Sequence, residues 1–412
     1  MDGTAPQVRL GTIGREWGRI GCLGFGGPPA HIALLRDLCV TRRRWITPDD
    51  FEDGIAATSL LPGPASTQLA ILTAWRLRGT AGALVGGVCF IAPGLLLILA
   101  LAALFLAGDP PRWVSGAAAG AGAAVAAVAV SAATGLLAAS RRRAAGRAAR
   151  GRWYGYLLVG ALGAVSAGPW LVLVLLACGT FEAGVRGRRP RPAPGSDGDG
   201  GGGPPDGNGP PDGGGPRAAS GAWPLLAAAP AAAATGGLAA LSWVAFKVGA
   251  LSYGGGFVII PLMQADAVHT YGWMTDAQFL NAVALGQVTP GPVVQTVAVV
   301  GYAAAGPAGG LLAALVAFGP SFLLVIAGGR RFDRLRSRPF AQHFFLGAGP
   351  AVIGAIAGSA IPLTLALQHA WQYGVLAAAA VWLLAARRGV VPALLGAGLL
   401  GVAAALGGLP AG

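Results

Sequence analysis

Seven stretches of the chain are continuous apolar runs, at about residues 80–107, 114–139, 154–178, 308–328, 345–367, 372–386 and 390–409. Each approaches or exceeds the ~20 residues that carry a helix across a bilayer, so each is expected to be a spanning helix, with 372–386 the shortest. Four other apolar stretches are interrupted. Residues 10–35 and 225–265 contain Gly-rich turns, and 52–76 and 280–303 each contain a Pro-Gly-Pro motif. Proline removes a backbone donor and breaks a helix. These interrupted segments are therefore expected to dip into the membrane and return. The expected fold class is an all-α polytopic membrane protein with broken, re-entrant helices at the Pro-Gly-Pro motifs.

Residues 186–222 follow neither pattern. From Pro190 to Pro216 they are almost all Gly, Pro and Asp, a composition expected to form a disordered linker. This linker separates an N-terminal unit, residues 1–185, from a C-terminal unit, residues 223–412.

The two units are copies of one pattern. A shift of 228 lays residues 21–98 over 249–326 without a gap, with 22 of 78 positions identical. Trp45 and Thr47 meet Trp273 and Thr275, Phe51 meets Phe279, and Phe90 meets Phe318. Pro62, Gly63 and Pro64 meet Pro290, Gly291 and Pro292. Composition bias would match Ala and Leu by chance, but not a Trp together with a whole Pro-Gly-Pro. Repeats of this kind mark secondary transporters, whose sites form where the halves meet.

Composition narrows the class further. The 412 residues are 54% hydrophobic and only 11% charged, against about 25% charged in soluble chains. A water-soluble globule is excluded. Four scattered cysteines (Cys22, Cys39, Cys89, Cys178) do not make a secreted disulfide scaffold. No cleavable signal peptide is expected, because the first apolar stretch carries Arg15, Glu16 and Arg19. The formal charge of +13 comes from arginines clustered between apolar runs, such as Arg141, Arg142, Arg143, Arg147, Arg150 and Arg152. That is the positive-inside pattern of a membrane protein. Without a zinc-finger spacing or a basic-aromatic motif beside it, nucleic acid is excluded as a partner.

The charges also orient the halves. Arg36, Arg42, Arg43 and Arg44 follow the first element of the N-terminal unit, whereas the matching residues 264–278 hold no Lys or Arg. The region near Arg112 is nearly neutral, whereas 330–338 holds five arginines. The bias reverses between the units, which is the expected sign of inverted topology.

The candidate binding residues lie at the breaks. A half-helix that starts after Pro-Gly-Pro presents free N–H groups and a positive dipole end, which suits an anion. Pro62, Gly63, Thr67 and Gln68 form this site in the first unit, and Pro290, Gly291, Gln295 and Thr296 in the second. Gly26 and Gly27, with Gly254 and Gly255, form a second pair of motifs whose backbone could approach an anion, although tight helix packing explains them equally well. Five residues before Gly24 and Ser252, where these motifs begin, stands a cation: Arg19, and at the equivalent place Lys247, the only lysine. A cation in an apolar stretch costs about 2.5–3.5 kcal/mol, so both are expected to face a cavity, with snorkelling to the interface as the alternative. His31 and Arg36 are further candidates without basic counterparts, and Gln264, Gln287 and Asn281 could supply neutral donors. Asp49, Asp50, Glu52 and Asp53 are read as helix-capping acids. No buried acid–base relay is evident, and no metal or cofactor is expected.

Several of these stretches together resemble the chromate ion transporter family. In the first unit they are Phe25–Val40 (FGGPPAHIALLRDLCV), Arg43–Trp45, Leu60–Pro64 and Thr67-Gln68. In the second they are Ser252–Gly256, Gln264, Trp273–Thr275, Gly286–Thr296, Gly301–Gly306 and Phe318–Phe322. The likeness is to the long, two-domain members and covers nearly the whole chain except the tail and linker, the linker being unusually long. It implies export of chromate across the bacterial inner membrane, giving chromate resistance, with the isosteric sulfate as competitor or exchange partner. It also agrees with halves of opposite orientation. The expected partners are the oxyanions and the lipid bilayer; self-association is left open. An intramembrane enzyme is the weaker reading: there is no HExxH or GxSxG, and the cysteines are dispersed. A membrane module without flux is the third.

Overall fold

A computed structural model describes residues 8–25, 27–58, 61, 63–106, 110–144, 146–166, 170–187, 237–252, 259–328 and 339–410. The expected linker, the arginine loop at 330–338 and Pro62, Gly26, Gly254 and Gly255 lie wholly or largely outside these residues. All regular structure among the described residues is helical. The first half contains α1 (Leu10–Leu23), α2 (Pro28–Arg36), α3 (Pro48–Thr58), α4 (Ala65–Phe105), α5 (Arg112–Ala123), α6 (Val125–Arg142), α7 (Arg147–Ser166) and α8 (Leu171–Gly187). The second contains α9 (Gly237–Leu251), α10 (Ile259–Gln264), α11 (Asp276–Val288), α12 (Thr296–Gly328), α13 (Pro339–Leu365), α14 (Ala370–Ala380) and α15 (Val390–Leu406).

Among the described residues four helical stretches are long and apolar enough to cross a membrane: Ala65–Phe105, Arg112–Arg142, Val293–Gly328 and Gln342–Leu365. Their outward faces carry large apolar side chains, such as Leu96, Leu315, Leu323 and Leu365. Such faces are matched to lipid, since only structures that satisfy their own backbone can span hydrocarbon. The chain is an all-α membrane protein, as its apolar runs predict.

One expected span needs correction. Residues 154–178 are not a single crossing but parts of two helices, α7 and α8. The helices run antiparallel: Arg152 and Tyr156 meet Glu182, while the Cβ position of Gly163 lies 3.1 Å from Leu171. The sequence between them is Ala167-Gly168-Pro169, and a proline does not continue a helix interior. A continuous run of apolar residues conceals such a break.

The repeat persists in three dimensions with a change of register. Gly63 and Gly291, 228 residues apart, both have left-handed φ, at 119° and 105°. The long helices α4 and α12 are both kinked, at Arg78-Gly79 and at Ala305-Gly306. Gly79 and Gly306 have φ of 58° and 65°, but they are 227 apart. Gly21 packs on the carbonyl of Phe90, and its counterpart Gly249 on that of Ala317. Beyond the second Pro-Gly-Pro the overlay therefore slips by one residue, at the tight 3-10 turn Val293–Gln295. Phe90 pairs with Ala317 rather than Phe318, Gln68 with Gln295, Pro93 with Pro320, and Gly94 with Ser321.

The halves interlock through small residues. A Cβ added to Gly160 of α7 would run into the carbonyl of Ala351 of α13, and one on Gly354 into that of Leu157. At the other side Gly120 of α5 meets Ala397, and Gly401 of α15 meets Gly116. The last helices of each half thus pack on the other half at backbone contact, as small-residue stripes permit in membranes. Gly160→Val is expected to destabilise the protein by about 1–3 kcal/mol through overpacking. Gly155→Val, on the same helix but facing open space, is expected to be near neutral. Thermal unfolding of both variants in detergent checks this.

Candidate functional site

The first corner is the tip of a helical hairpin. Helix α3 starts at a cap in which the Thr47 hydroxyl accepts the Asp50 N–H at 3.2 Å. It then runs antiparallel to the first arm of α4. The Cβ position of Gly54 lies 3.3 Å from Leu69 and 3.7 Å from Leu72, and Arg76 donates to the carbonyl of Asp50. The chain reverses between Thr58 and Ala65, where Gly63 takes a φ that side chains rarely adopt. Ser66, Thr67 and Gln68 open the new helix fully buried, and Thr58 closes the old one. The N–H groups of Ala65, Ser66 and Thr67 make no backbone hydrogen bond among the described residues, as expected of a helix's first turn.

The second corner has the same parts. Helix α11 starts at a capping box between Thr275 and Gln278 and ends before Thr289, whose hydroxyl donates back to Leu285 at 2.8 Å. Pro290 and Gly291 turn the chain, and Val293, Val294 and Gln295 are buried. This corner lies against α4 of the other half. Gln295 Nε2 donates to the Ile91 carbonyl at 2.8 Å, and Gly94 leaves the space that the Pro290 carbonyl and Gln295 fill. The converse contact also exists, with Ser321 Oγ of α12 at 3.1 Å from the Cβ position of Gly63.

A hydrogen-bond chain joins the corners. The Gly291 N–H donates to the Gly24 carbonyl at 3.1 Å. The same carbonyl accepts His31 Nε2 at 2.9 Å, and His31 Nδ1 lies 3.2 Å from Ser66 Oγ. A carbonyl only accepts, so Nε2 carries the proton, and Nδ1 of the neutral ring accepts from Ser66. His31 is fully buried and stands edge-on to Phe90.

Around the two corners several buried polar atoms have no hydrogen-bond partner among the described residues. They include Thr67 Oγ1, Gln295 Oε1 and Ser321 Oγ, with Gln287 Nε2 on α11; Ser252 Oγ, just past the end of α9, is also unpaired. Each such group costs about 1–3 kcal/mol if left unpaired. Buried unpaired groups are few in native proteins, and a cluster of them calls for an explanation.

The expected binding residues divide into two sets. Gly63, Thr67, Gln68, Pro290, Gly291 and Gln295 are buried at the corners, with Gln287 on α11. Thr296 is there too, its hydroxyl bonded to Val293 at 2.8 Å. Gly27 caps α2 with φ of 74° near Val293. The charged candidates stand elsewhere. Arg19 is exposed on α1. Arg36 pairs with Glu52 at 3.1 Å on an exposed face. Lys247 is held by the buried Asp266 at 2.6 Å; the sequence reading found no such pair, because 19 residues and the α9–α10 turn separate the partners. Gln264 is buried but bonded to Asp276 at 2.9 Å. Sequence reasoning also missed Ser321, Ser252 and the bridging role of His31. A shift of 227 would have exposed Ser321 as the partner of Gly94.

The family model for the Chromate transporter matches residues 11–182 and 239–402. The chain is 30% identical over 373 residues to the "Chromate transport protein" of Cupriavidus metallidurans, covering 87% of this chain and 84% of that one. It is 26% identical to the "Probable chromate transport protein" of Synechococcus elongatus, covering 87% and 85%. It is 28% identical to the "Chromate transport protein" of Pseudomonas aeruginosa, covering 84% and 79%. No solved structure matches.

His31→Phe keeps a ring against Phe90 but removes both hydrogen bonds. It is expected to lower stability by about 1–3 kcal/mol, read as a lower melting temperature in detergent.

Proposed function

Because the chain belongs to the chromate transporter family, we propose that it is a secondary transporter exporting chromate across the inner membrane, with sulfate as competitor or exchange partner. Family membership supports chromate transport by a multi-pass membrane protein, and the family is one of transporters rather than enzymes. The direction of movement and the place of binding are the new parts of the proposal. The observation that carries the place of binding is the set of buried atoms without a partner among the described residues, the hydroxyls of Thr67 and Ser321 with Gln295 Oε1, at two helix breaks that pack against opposite halves.

In this reading the oxyanion sits between the corners. The first-turn N–H groups of α4 offer a positive dipole end. Thr67 and Ser321 give hydroxyl donors. The Gln287 amide nitrogen, unpaired among the described residues, gives a further donor, while Gln68, Gln295 and Thr296 shape the corners, the last two with their donors held by Ile91 and Val293. Gln264 stays on Asp276 as a support. Arg19, Arg36 and Lys247, exposed or paired in this structure, act outside this shell. A site of neutral donors holds a dianion without trapping it, which transport requires because the ion must leave. It also discriminates weakly between chromate and sulfate, which share charge and shape. The two halves, of inverted topology, rock about the corners to open the site to each side in turn.

Energetics favours the outward direction. Moving two negative charges out of an inside-negative cell gains about 4–5 kcal/mol per 100 mV, and one-for-one exchange with sulfate cancels that gain. Chromate flux in vesicles with the potential clamped, and sulfate on the opposite side, separates the two modes.

The site itself is tested by Thr67→Val combined with Ser321→Ala. Both remove unpaired hydroxyls, so the melting temperature is expected to hold or rise. Chromate flux is expected to fall by about tenfold, the effect of about 1.4 kcal/mol. Unchanged flux in a stably folded double variant would remove the corners from the binding site.

A further inference from the structure

Away from the corners, one carboxylate gathers an unusual share of partners. Glu182 of α8 is 2% exposed. It accepts Arg152 Nε at 2.7 Å, Arg186 Nε at 2.6 Å and the Tyr156 hydroxyl at 2.8 Å. Two guanidiniums on a single carboxylate leave the cluster with a net positive charge. This cluster lies in the wall of a cavity of about 210 Å³. Arg143 lines the same cavity and makes no ion pair among the described residues. Thr58 and Gly63, the two sides of the first corner, line the same cavity. One hollow therefore borders both an arginine cluster and the first corner.

The charge count identifies the guest. Arg143, Arg186 and Glu182 line the cavity, and Arg152 pairs with Glu182 from outside the lining, so the cluster as a whole carries an excess of two positive charges. The remaining wall is largely apolar, with Leu136, Phe345 and Val352 among its residues. Low-dielectric walls focus such a field on an incoming ion. A metal cation would be repelled, and an apolar ligand would leave the guanidiniums unmatched. The excess fits a small divalent oxyanion.

We propose that this cavity is a loading vestibule for the oxyanion, with Arg143 and Arg186 receiving the ion and Glu182 orienting Arg152 and Arg186. Held this way, Arg186 is only half neutralised and keeps charge for the guest. The carboxylate also limits how tightly the vestibule holds, so the ion moves on to the corner. Arg143, which lines the vestibule, belongs to the arginine-rich stretch 141–152, which the positive-inside rule expects on the cytoplasmic side. This inference rests on the corner reading of the site, because the vestibule has to deliver to something.

The test uses the full-length protein in proteoliposomes, with radiolabelled chromate presented to each face. Arg143→Gln breaks no contact in the fold and carries the test. The vestibule predicts that KM at the arginine-bearing face rises about tenfold, that maximal rate changes less than twofold, and that KM at the opposite face is unchanged. Arg143→Lys, which keeps the charge, should restore most of the affinity. A merely structural role would move rate and both faces together. Unchanged KM at the arginine-bearing face would overturn the vestibule while leaving the corner site intact. The corner site fails separately, if Thr67→Val with Ser321→Ala transports normally.

Discussion

The structure turns on a short polar bridge in an apolar interior. Two helix breaks from different halves of the chain are tied through one imidazole, from Ser66 through His31 to the Gly24 carbonyl and the Gly291 N–H. Buried polar groups of this kind must be satisfied or they weigh against folding, so the bridge fixes how the corners face each other. It also sets the side of each corner that remains unsatisfied. With Ser66 committed to His31, its neighbour Thr67 is left with a hydroxyl that finds no acceptor. The same hydrogen bonds that order the interior thereby define what is available to a guest.

The packing outside this centre follows a different rule. Close contact between helices in lipid comes from small residues, not from burial of apolar surface away from water. Gly160 against Ala351 and Gly401 against Gly116 bring backbones of the two halves together. The halves are consequently joined along rails that resist insertion of bulk, while the centre is held by directional bonds. Rigid outer contacts and a polar inner seam are compatible with motion of one half against the other, because sliding along small residues disturbs few side chains.

Much of this architecture was legible in the chain itself. Apolar length predicts the long helices α4, α12 and α13, and the Pro-Gly-Pro motifs predict the breaks, because proline and glycine act locally on the backbone. The duplicate pattern leads to the pairing of Gly63 with Gly291. What failed to show was whatever depends on distance in sequence or on a single residue of register. The α7–α8 hairpin is hidden because the sequence between its helices, Ala167-Gly168-Pro169, continues the apolar run without adding charge. The pairing of Phe90 with Phe318 looked sound because aromatic identity is a strong signal, yet the 3-10 turn at Val293–Gln295 moves the helix by one position. Arg19 and Lys247 are each expected from the sequence to face a cavity, whereas one is exposed and the other is held by Asp266. Polar partners between distant segments, Glu182 with Arg152 among them, carry no periodic signature at all.

The slipped register also bears on whether the two halves are interchangeable. Gly94 stands bare where the opposite copy carries Ser321, and each packs against the other half's bend. A dimer assembled from two first halves would have a notch at both bends and no hydroxyl at either; two second halves would crowd both. The two bends therefore differ in shape, one facing a bare glycine and the other a serine hydroxyl.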